Sequence, residues 1–281
     1  MVIACLLATA VVSGCAVAVP TAGAPPLRYV ALGDSYSAGS GIEPIDLDAP
    51  LECLRSAASY PHVIAATVGA RLTDVTCRGA RTTDFFVGQY PGVAPQLDAV
   101  AAGTQLVTMT IGGNDSGLFV DALLGCIEAA LRTLGQGSPC RHEYGSRFED
   151  TVRAATYPAL VRVLRAVRDK APAARVAILG YPWILPPRTG CFPQMPIASG
   201  DVPYLYHLEQ SLNDAIRRAA TTTGATYVDM GRVSAGHDAC RPEPDRWVEP
   251  VLFGTNPVVV HPNARGEAGM AAQALAVLHL R

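Results

Sequence analysis

Short apolar runs alternate along the chain with longer stretches whose apolar residues recur at helical spacing. Most of the runs are continuously apolar rather than alternating with polar residues, which is typical of strands covered on both faces of a parallel sheet. These runs predict five strands, at residues 28–32, 71–77, 106–111, 175–179 and 226–230.

The intervening stretches predict helices. One apolar face consists of Leu160, Val163, Leu164 and Val167, a second of Leu205, Leu208, Leu212 and Ile216, and a third lies within residues 263–280. Regular alternation of strands and helices predicts a single α/β domain with three layers, α/β/α, and a central parallel five-stranded sheet.

The first 27 residues contain no charged side chain, and their apolar stretch gives way to small residues and prolines. This composition predicts an export leader over residues 1–27, followed by one domain over residues 28–281. Three fates of the leader stay open. In the first, the sequence VSGC ending at Cys15 resembles a bacterial lipobox, in which Cys15 is acylated and anchors the protein to a membrane. In the second, cleavage near residues 22–24 releases the protein. In the third, residues 1–19, which are nearly long enough to span a bilayer, remain as an uncleaved membrane anchor.

The net charge of the chain is −2, and 49% of its residues are hydrophobic. A composition with few charges and many apolar residues is typical of a compact globular protein and argues against disorder. The balanced charge gives no basis for binding nucleic acid or an anionic surface. The charge therefore predicts no nucleic-acid partner. Separately, we expect a monomer that acts on a small-molecule substrate.

Six cysteines follow the predicted leader, widely spaced and without any C-x-x-C motif. Together with an export leader, this pattern indicates disulfides rather than a zinc or redox site. Many pairings are open. The simplest is sequential: Cys53 with Cys77, Cys126 with Cys140, and Cys191 with Cys240. The last pair would join two long loops, residues 180–201 and 234–257.

Polar residues or glycines follow several of the predicted strands. They form the segments GDSY at residues 33–36, CRGA at 77–80 and GGND at 112–115; a fourth segment, VHPN at 260–263, precedes the last helix. Ligands of open parallel sheets bind outside the carboxyl ends of the strands, where such segments meet. Taken singly, each segment also fits a helix cap or a turn.

In this order the four segments resemble the sequence blocks of the SGNH (GDSL) hydrolase family, in its secreted bacterial esterase and lipase branch. The most specific pieces are GDSYSAG, IGGND and HPNARGEAGMA. The resemblance implies a flavodoxin-like fold, Ser35 as nucleophile and His261 as base. It also implies an oxyanion hole made by the backbone N–H groups of Ser35 and Gly79 and the side-chain amide of Asn114. No metal or cofactor is implied.

The chain departs from the family pattern beside the histidine. Most members carry an Asp three residues before it, where this chain has Val258. We expect a Ser35–His261 dyad whose imidazole is oriented by the Val258 carbonyl. The alternative is a carboxylate from elsewhere in the chain, with Asp238, Asp245 and Glu249 as candidates.

The resemblance implies a secreted or cell-envelope esterase or lipase that hydrolyses carboxylic esters through an acyl-enzyme. An acyltransferase or a carbohydrate-ester deacetylase would use the same residues, and an inert glycan- or lipid-binding envelope protein is a further alternative. Aromatic residues of the long loops are candidates for an acyl pocket, although packing would explain them equally: Trp183, Phe192, Tyr204, Tyr206 and Trp247.

Overall fold

The computed structural model describes residues 25–280, so most of the predicted leader, including Cys15, lies outside the described residues. The strands are β1 (Arg28–Gly33), β2 (Arg71–Asp74), β3 (Leu106–Thr110), β4 (Arg175–Leu179) and β5 (Thr226–Val228). All neighbouring strands pair in parallel, in the order β2-β1-β3-β4-β5. The predicted parallel five-stranded sheet is confirmed, and its strand order is that of flavodoxin-like folds.

Two edge strands end earlier than the apolar pattern predicts, and in both cases an aspartate is the reason. The Asp74 carboxylate accepts hydrogen bonds from the backbone N–H and the hydroxyl of Thr76, at 2.9 and 2.7 Å, which turns the chain out of β2. Asp229 follows β5 and accepts from the Arg232 N–H, so that it caps a helix instead of extending the strand.

Nine α-helices are assigned within residues 25–280, and a short π-helical segment joins the fifth to the sixth. No helix in this part of the chain has the length and apolar character to cross a membrane. The helices are α1 (Ser35–Ala38), α2 (Tyr60–Val68), α3 (Leu118–Arg132), α4 (Pro139–Tyr144), α5 (Arg147–Thr151), α6 (Tyr157–Lys170), α7 (Val202–Thr223), α8 (Met230–Val233) and α9 (Ala264–Val277).

Four of the helices pack in two pairs, α2 with α9 and α6 with α7. Right-handed crossovers place these pairs on opposite faces, because β1 connects to β2 in one direction across the sheet and β3 to β4 in the other. The first pair is also joined by a buried side chain: Glu267 of α9 accepts a hydrogen bond from the Tyr60 N–H at the start of α2, at 2.6 Å.

The six cysteines form three disulfides in the sequential pairing, Cys53–Cys77, Cys126–Cys140 and Cys191–Cys240. The third closes the longest separation, 49 residues, and joins the loop after β4 to the loop before α9. Each cross-link restricts the unfolded chain, which in the chain-entropy model stabilises the fold by about 3–4 kcal/mol. The third disulfide therefore links the two long loops at the carboxyl edge of the sheet.

Candidate active site

A tight turn between β1 and α1 positions Ser35 at the start of α1. Gly33 has a φ of +120°, and a Cβ at this position would stand 2.3 Å from the Thr110 carbonyl oxygen, so only glycine fits. Asp34 caps the helix by accepting from the Tyr36 N–H at 3.1 Å. Ser35 is the first residue of α1, and its backbone N–H therefore has no acceptor within the helix.

The turn is held from behind by the buried side chain of Gln96. Its amide accepts from the Gly33 N–H at 2.7 Å and donates to the Gly33 carbonyl at 3.0 Å. The same carbonyl accepts from the Cys77 N–H at 3.0 Å, which connects the turn to the segment after β2. The Gln96 side chain and the Cys77 backbone thus both fix the backbone conformation at the end of β1, just before Ser35.

The structure brings the predicted nucleophile and the predicted base into contact. His261 Nε2 lies 2.7 Å from Ser35 Oγ, and its Nδ1 lies 2.8 Å from the Val259 carbonyl oxygen. With the proton on Nδ1, the imidazole donates to Val259 and accepts from the serine hydroxyl. The prediction that the Val258 carbonyl orients the ring is therefore wrong: the acceptor is one residue closer.

The reason lies in the backbone of Val260, whose φ of +58° is rare for a β-branched residue. This left-handed conformation folds the chain back, so that the carbonyl two residues before His261 reaches its ring. Val260 is held there by its N–H, which donates to the Glu249 carbonyl at 2.9 Å, and by its own carbonyl, which accepts from the Tyr36 hydroxyl at 2.7 Å. The unfavourable backbone is thus fixed from two sides.

None of the three candidate carboxylates hydrogen-bonds His261 within residues 25–280. Glu249, which is fully buried, accepts instead from Arg246, Asn263 and Thr255. Burial alone would raise its pKa, but these donors, with the Arg246 charge, hold the pKa of Glu249 below its ordinary value. The residue therefore organises the loop that carries the histidine: its backbone N–H donates to the His261 carbonyl at 2.9 Å.

The two predicted oxyanion segments adjoin each other. Gly79 has a φ of +76°, and a Cβ at this position would meet Gln89 Nε2 at 3.6 Å, an ordinary contact, so its backbone conformation rather than crowding favours glycine. The Asn114 amide donates one hydrogen to the Ala80 carbonyl at 3.1 Å, which leaves its second hydrogen for a ligand. Behind them Asp115 accepts from the backbone N–H and the hydroxyl of Thr82, both at 2.8 Å.

The imidazole is nearly sealed from solvent. Its ring centroid lies 5.1 Å from that of Tyr36 and 6.2 Å from that of Phe119. This burial lowers the pKa of His261 from 6.5 to about 4; the hydrogen bond to Val259 opposes the shift, and the positive charge of Arg78 adds to it. At neutral pH the histidine is therefore uncharged and ready to accept a proton.

A second buried network lies beneath Ser35. The Tyr181 hydroxyl donates to Asp34 at 2.5 Å and accepts from the Gly113 N–H at 3.0 Å, so it joins the serine turn to the asparagine segment. Burial raises the pKa of Asp34 to about 6, although the hydrogen bonds from Tyr181, Thr110 and Tyr36 oppose the shift. Below that pH the network carries an additional proton.

An apolar cavity adjoins the site, with an empty volume of about 670 Å³ including its open side. Tyr36, Gly113 and Val260 line it, each next in sequence to one of Ser35, Asn114 and His261. Leucines of α3 and α7, together with Met195, form much of the remaining wall.

None of the five aromatic residues predicted as pocket candidates lines this cavity. Trp183 packs on Tyr206 with centroids 4.4 Å apart, and Trp247 stacks on His237 at 4.6 Å.

Within residues 25–280, no cluster of three or more His, Cys, Asp or Glu side chains is arranged to hold a metal ion.

A parallel sheet of this order, with a serine–histidine pair where β1 and β3 diverge, defines a hydrolase of the three-layer α/β class. The model of the GDSL-like lipase/acylhydrolase family matches residues 31–268. The chain belongs to this family and is a carboxylic ester hydrolase, and the resemblance stated from the sequence is confirmed.

Three relatives show how close the similarity is. Lipase 2 of Streptomyces coelicolor is 57% identical over 276 residues, which cover 98% of this chain and 93% of that protein. The crystal structure of phospholipase A1 from Streptomyces albidoflavus NA297 has a TM-score of 0.74 at 30% identity, covering 91% of this chain and 99% of that one. That of an extracellular lipase from Streptomyces rimosus has a TM-score of 0.73 at 31% identity, covering 90% and 98%.

Several residues that shape the site were missed from the sequence. Tyr181 could have been found, since it follows the β4 strand at the same edge as the recognised segments. Asp34 and Asp115 stand inside recognised motifs, but their spacing alone does not reveal their partners. Gln96 lies in a segment without apolar periodicity, and nothing in the sequence pattern points to it.

The two hydrogen bonds between Thr82 and Asp115, called the tether below, predict a larger loss of activity when both are removed than when one is. Asp115→Ala removes both hydrogen bonds from Thr82 and leaves only the Asn114–Ala80 hydrogen bond of those described between the two oxyanion segments. Misplacement of the donors should then lower kcat of ester hydrolysis roughly 10-fold or more, with KM little changed. Thr82→Val keeps the backbone bond and should have a smaller effect. Steady-state kinetics on a soluble ester measures both; equal losses in the two variants would contradict the tether.

The buried imidazole generates a prediction for pH dependence. The base must be uncharged to accept a proton, so a lowered pKa keeps the enzyme active to lower pH. The apparent pKa of the acidic limb of the kcat/KM profile should therefore lie below about 6.5. Asp34→Asn removes a second titrating group, whose pKa of about 6 lies close to this range, and should leave the pKa of the limb below about 6.5 if His261 sets it. Initial rates from pH 3.5 to 8 measure the limb; a value above 7 would contradict a base without a carboxylate partner.

Proposed function

We propose that the protein hydrolyses carboxylic esters of acyl chains through an acyl-enzyme on Ser35, with His261 as the base. The observation that carries the proposal is the 2.7 Å contact between His261 Nε2 and Ser35 Oγ. As Oγ attacks the ester carbonyl, Nε2 takes its proton and then delivers it to the leaving alcohol. Water repeats the sequence on the acyl-enzyme and releases the acid.

The charge that develops on the carbonyl oxygen needs donors that are in place before the reaction. We assign this role to the backbone N–H groups of Ser35 and Gly79 and to the free hydrogen of the Asn114 amide. Their positions depend on the hydrogen bonds that join the three segments, which supports a preorganised oxyanion hole. Such donors stabilise a transition state without the reorganisation that water would need.

The apolar cavity beside the site supports an acyl chain as the group that is bound. A carbohydrate ester would present hydroxyl groups to a wall that consists mostly of leucine and other apolar side chains. The names of the relatives, lipase and phospholipase A1, agree with an acyl substrate. We therefore place this chain among the lipases and esterases rather than the sugar deacetylases.

We also propose that residues 28–281 are the mature catalytic domain and that the protein acts outside the cytoplasm. Three disulfides and an extracellular relative support export. Acylation of Cys15 would keep the domain at the cell envelope. Intact-mass measurement of the exported protein tests this: we expect either a lipid-modified Cys15 or a start near residues 22–28. A mass that retains residue 1 would contradict removal of the leader.

Replacement of the nucleophile tests the mechanism. Ser35→Ala should lower kcat on p-nitrophenyl esters from acetate to palmitate by about 10⁴-fold or more, since no other group replaces the hydroxyl. Asn114→Ala should cost about 10²–10³-fold. An alkyl phosphonate should label Ser35 in the wild type.

Ser40→Ala is the matched control, because the Ser40 hydroxyl is also buried nearby but has no hydrogen-bond partner among the described residues. This variant should retain activity close to wild type. Phosphonate labelling of any other residue, or full activity of Ser35→Ala, would sink the assignment.

A further inference from the structure

One carboxyl group, that of Glu209 in α7, lines the otherwise apolar cavity. Its Oε2 accepts from the Ile184 N–H at 3.0 Å. Its Oε1 is buried and has no hydrogen-bond partner among residues 25–280. The two tyrosine hydroxyls of the wall are already bonded, that of Tyr36 to Val260 and that of Tyr181 to Asp34.

The surroundings of Glu209 decide its charge. Burial raises the pKa of this carboxyl well above its ordinary range; the bond from Ile184 opposes the shift, and the negative charge of Asp238 adds to it. A neutral carboxyl group both donates and accepts, and no cation is attracted to it. Its natural partner in an apolar wall is a neutral group that also donates and accepts, which describes a hydroxyl.

We propose that the cavity takes an acyl chain bearing a hydroxyl group, and that Glu209 selects such chains by hydrogen-bonding the hydroxyl through its carboxyl group. The inference rests on the proposed function, because it assigns the cavity to the acyl part of the ester. An unmodified alkyl chain fills the same space but leaves Oε1 unpaired. A site built to bind a hydroxyl discriminates strongly against the analogue that lacks it.

A matched set of esters tests the proposal with the full chain. The substrates are p-nitrophenyl dodecanoate and its isomers with one hydroxyl at successive carbons, compared by kcat/KM. Wild type should prefer at least one hydroxylated isomer by roughly 10-fold or more. Glu209→Leu should abolish this preference, measured within the variant as the ratio of kcat/KM for the hydroxylated ester to that for the plain ester. Glu209→Gln, which still donates and accepts, should retain much of the preference.

Leu205→Val is the control, because it changes the volume of the same wall without changing its polarity, and it should affect plain and hydroxylated esters alike. Thermal unfolding verifies that each variant is folded. The inference would be overturned if wild type showed no preference for a hydroxylated ester, or if Glu209→Leu kept the preference. In either case, hydrolysis of the plain ester would leave the proposed function intact. A preference for hydroxyls on the alcohol part alone would overturn the assignment to the acyl chain. No turnover on any ester would overturn both proposals.

Discussion

The hydrogen bond between His261 and Ser35 joins residues 226 positions apart, and much of the buried polar structure holds its two ends. At the serine end, Gln96 fixes the backbone of the β1 turn. At the histidine end, the buried carboxylate of Glu249 collects donors from its own loop and from the start of α9. Neither residue touches the reacting atoms, yet the 2.7 Å contact depends on both.

The imidazole is oriented by a carbonyl instead of a carboxylate, and this difference affects both the stability of the imidazolium and the pKa of the histidine. A carbonyl fixes the tautomer but offers no full negative charge to an imidazolium. In return the imidazole remains neutral far into the acidic range, because burial lowers its pKa and no carboxylate bonded to the ring opposes the shift. The geometry requires the left-handed backbone of Val260, whose unfavourable conformation is maintained by hydrogen bonds from Tyr36 and to Glu249.

The sheet and the single domain could be predicted from the apolar runs, which are local signals. The meeting of Ser35 with His261 was implied by the resemblance of four short segments to the sequence blocks of the family. The ends of strands β2 and β5 could not be predicted, because Asp74 and Asp229 end them through hydrogen bonds that the apolar pattern does not show. The acceptor for His261 was misplaced by one residue because a positive φ at a valine has no sequence signal. Gln96 and Glu209 acquire their roles only when distant segments pack around them.

The order in which the functional parts occur along the chain has a consequence for biosynthesis. Ser35 and the oxyanion segments emerge from the ribosome early, whereas the histidine and the Glu249 loop arrive among the last residues. Glu267, which completes the start of α2, comes later still. A translation product that stops before residue 261 therefore contains the proposed nucleophile without the proposed base. Under the proposed mechanism, esterase activity requires complete synthesis and closure of the chain.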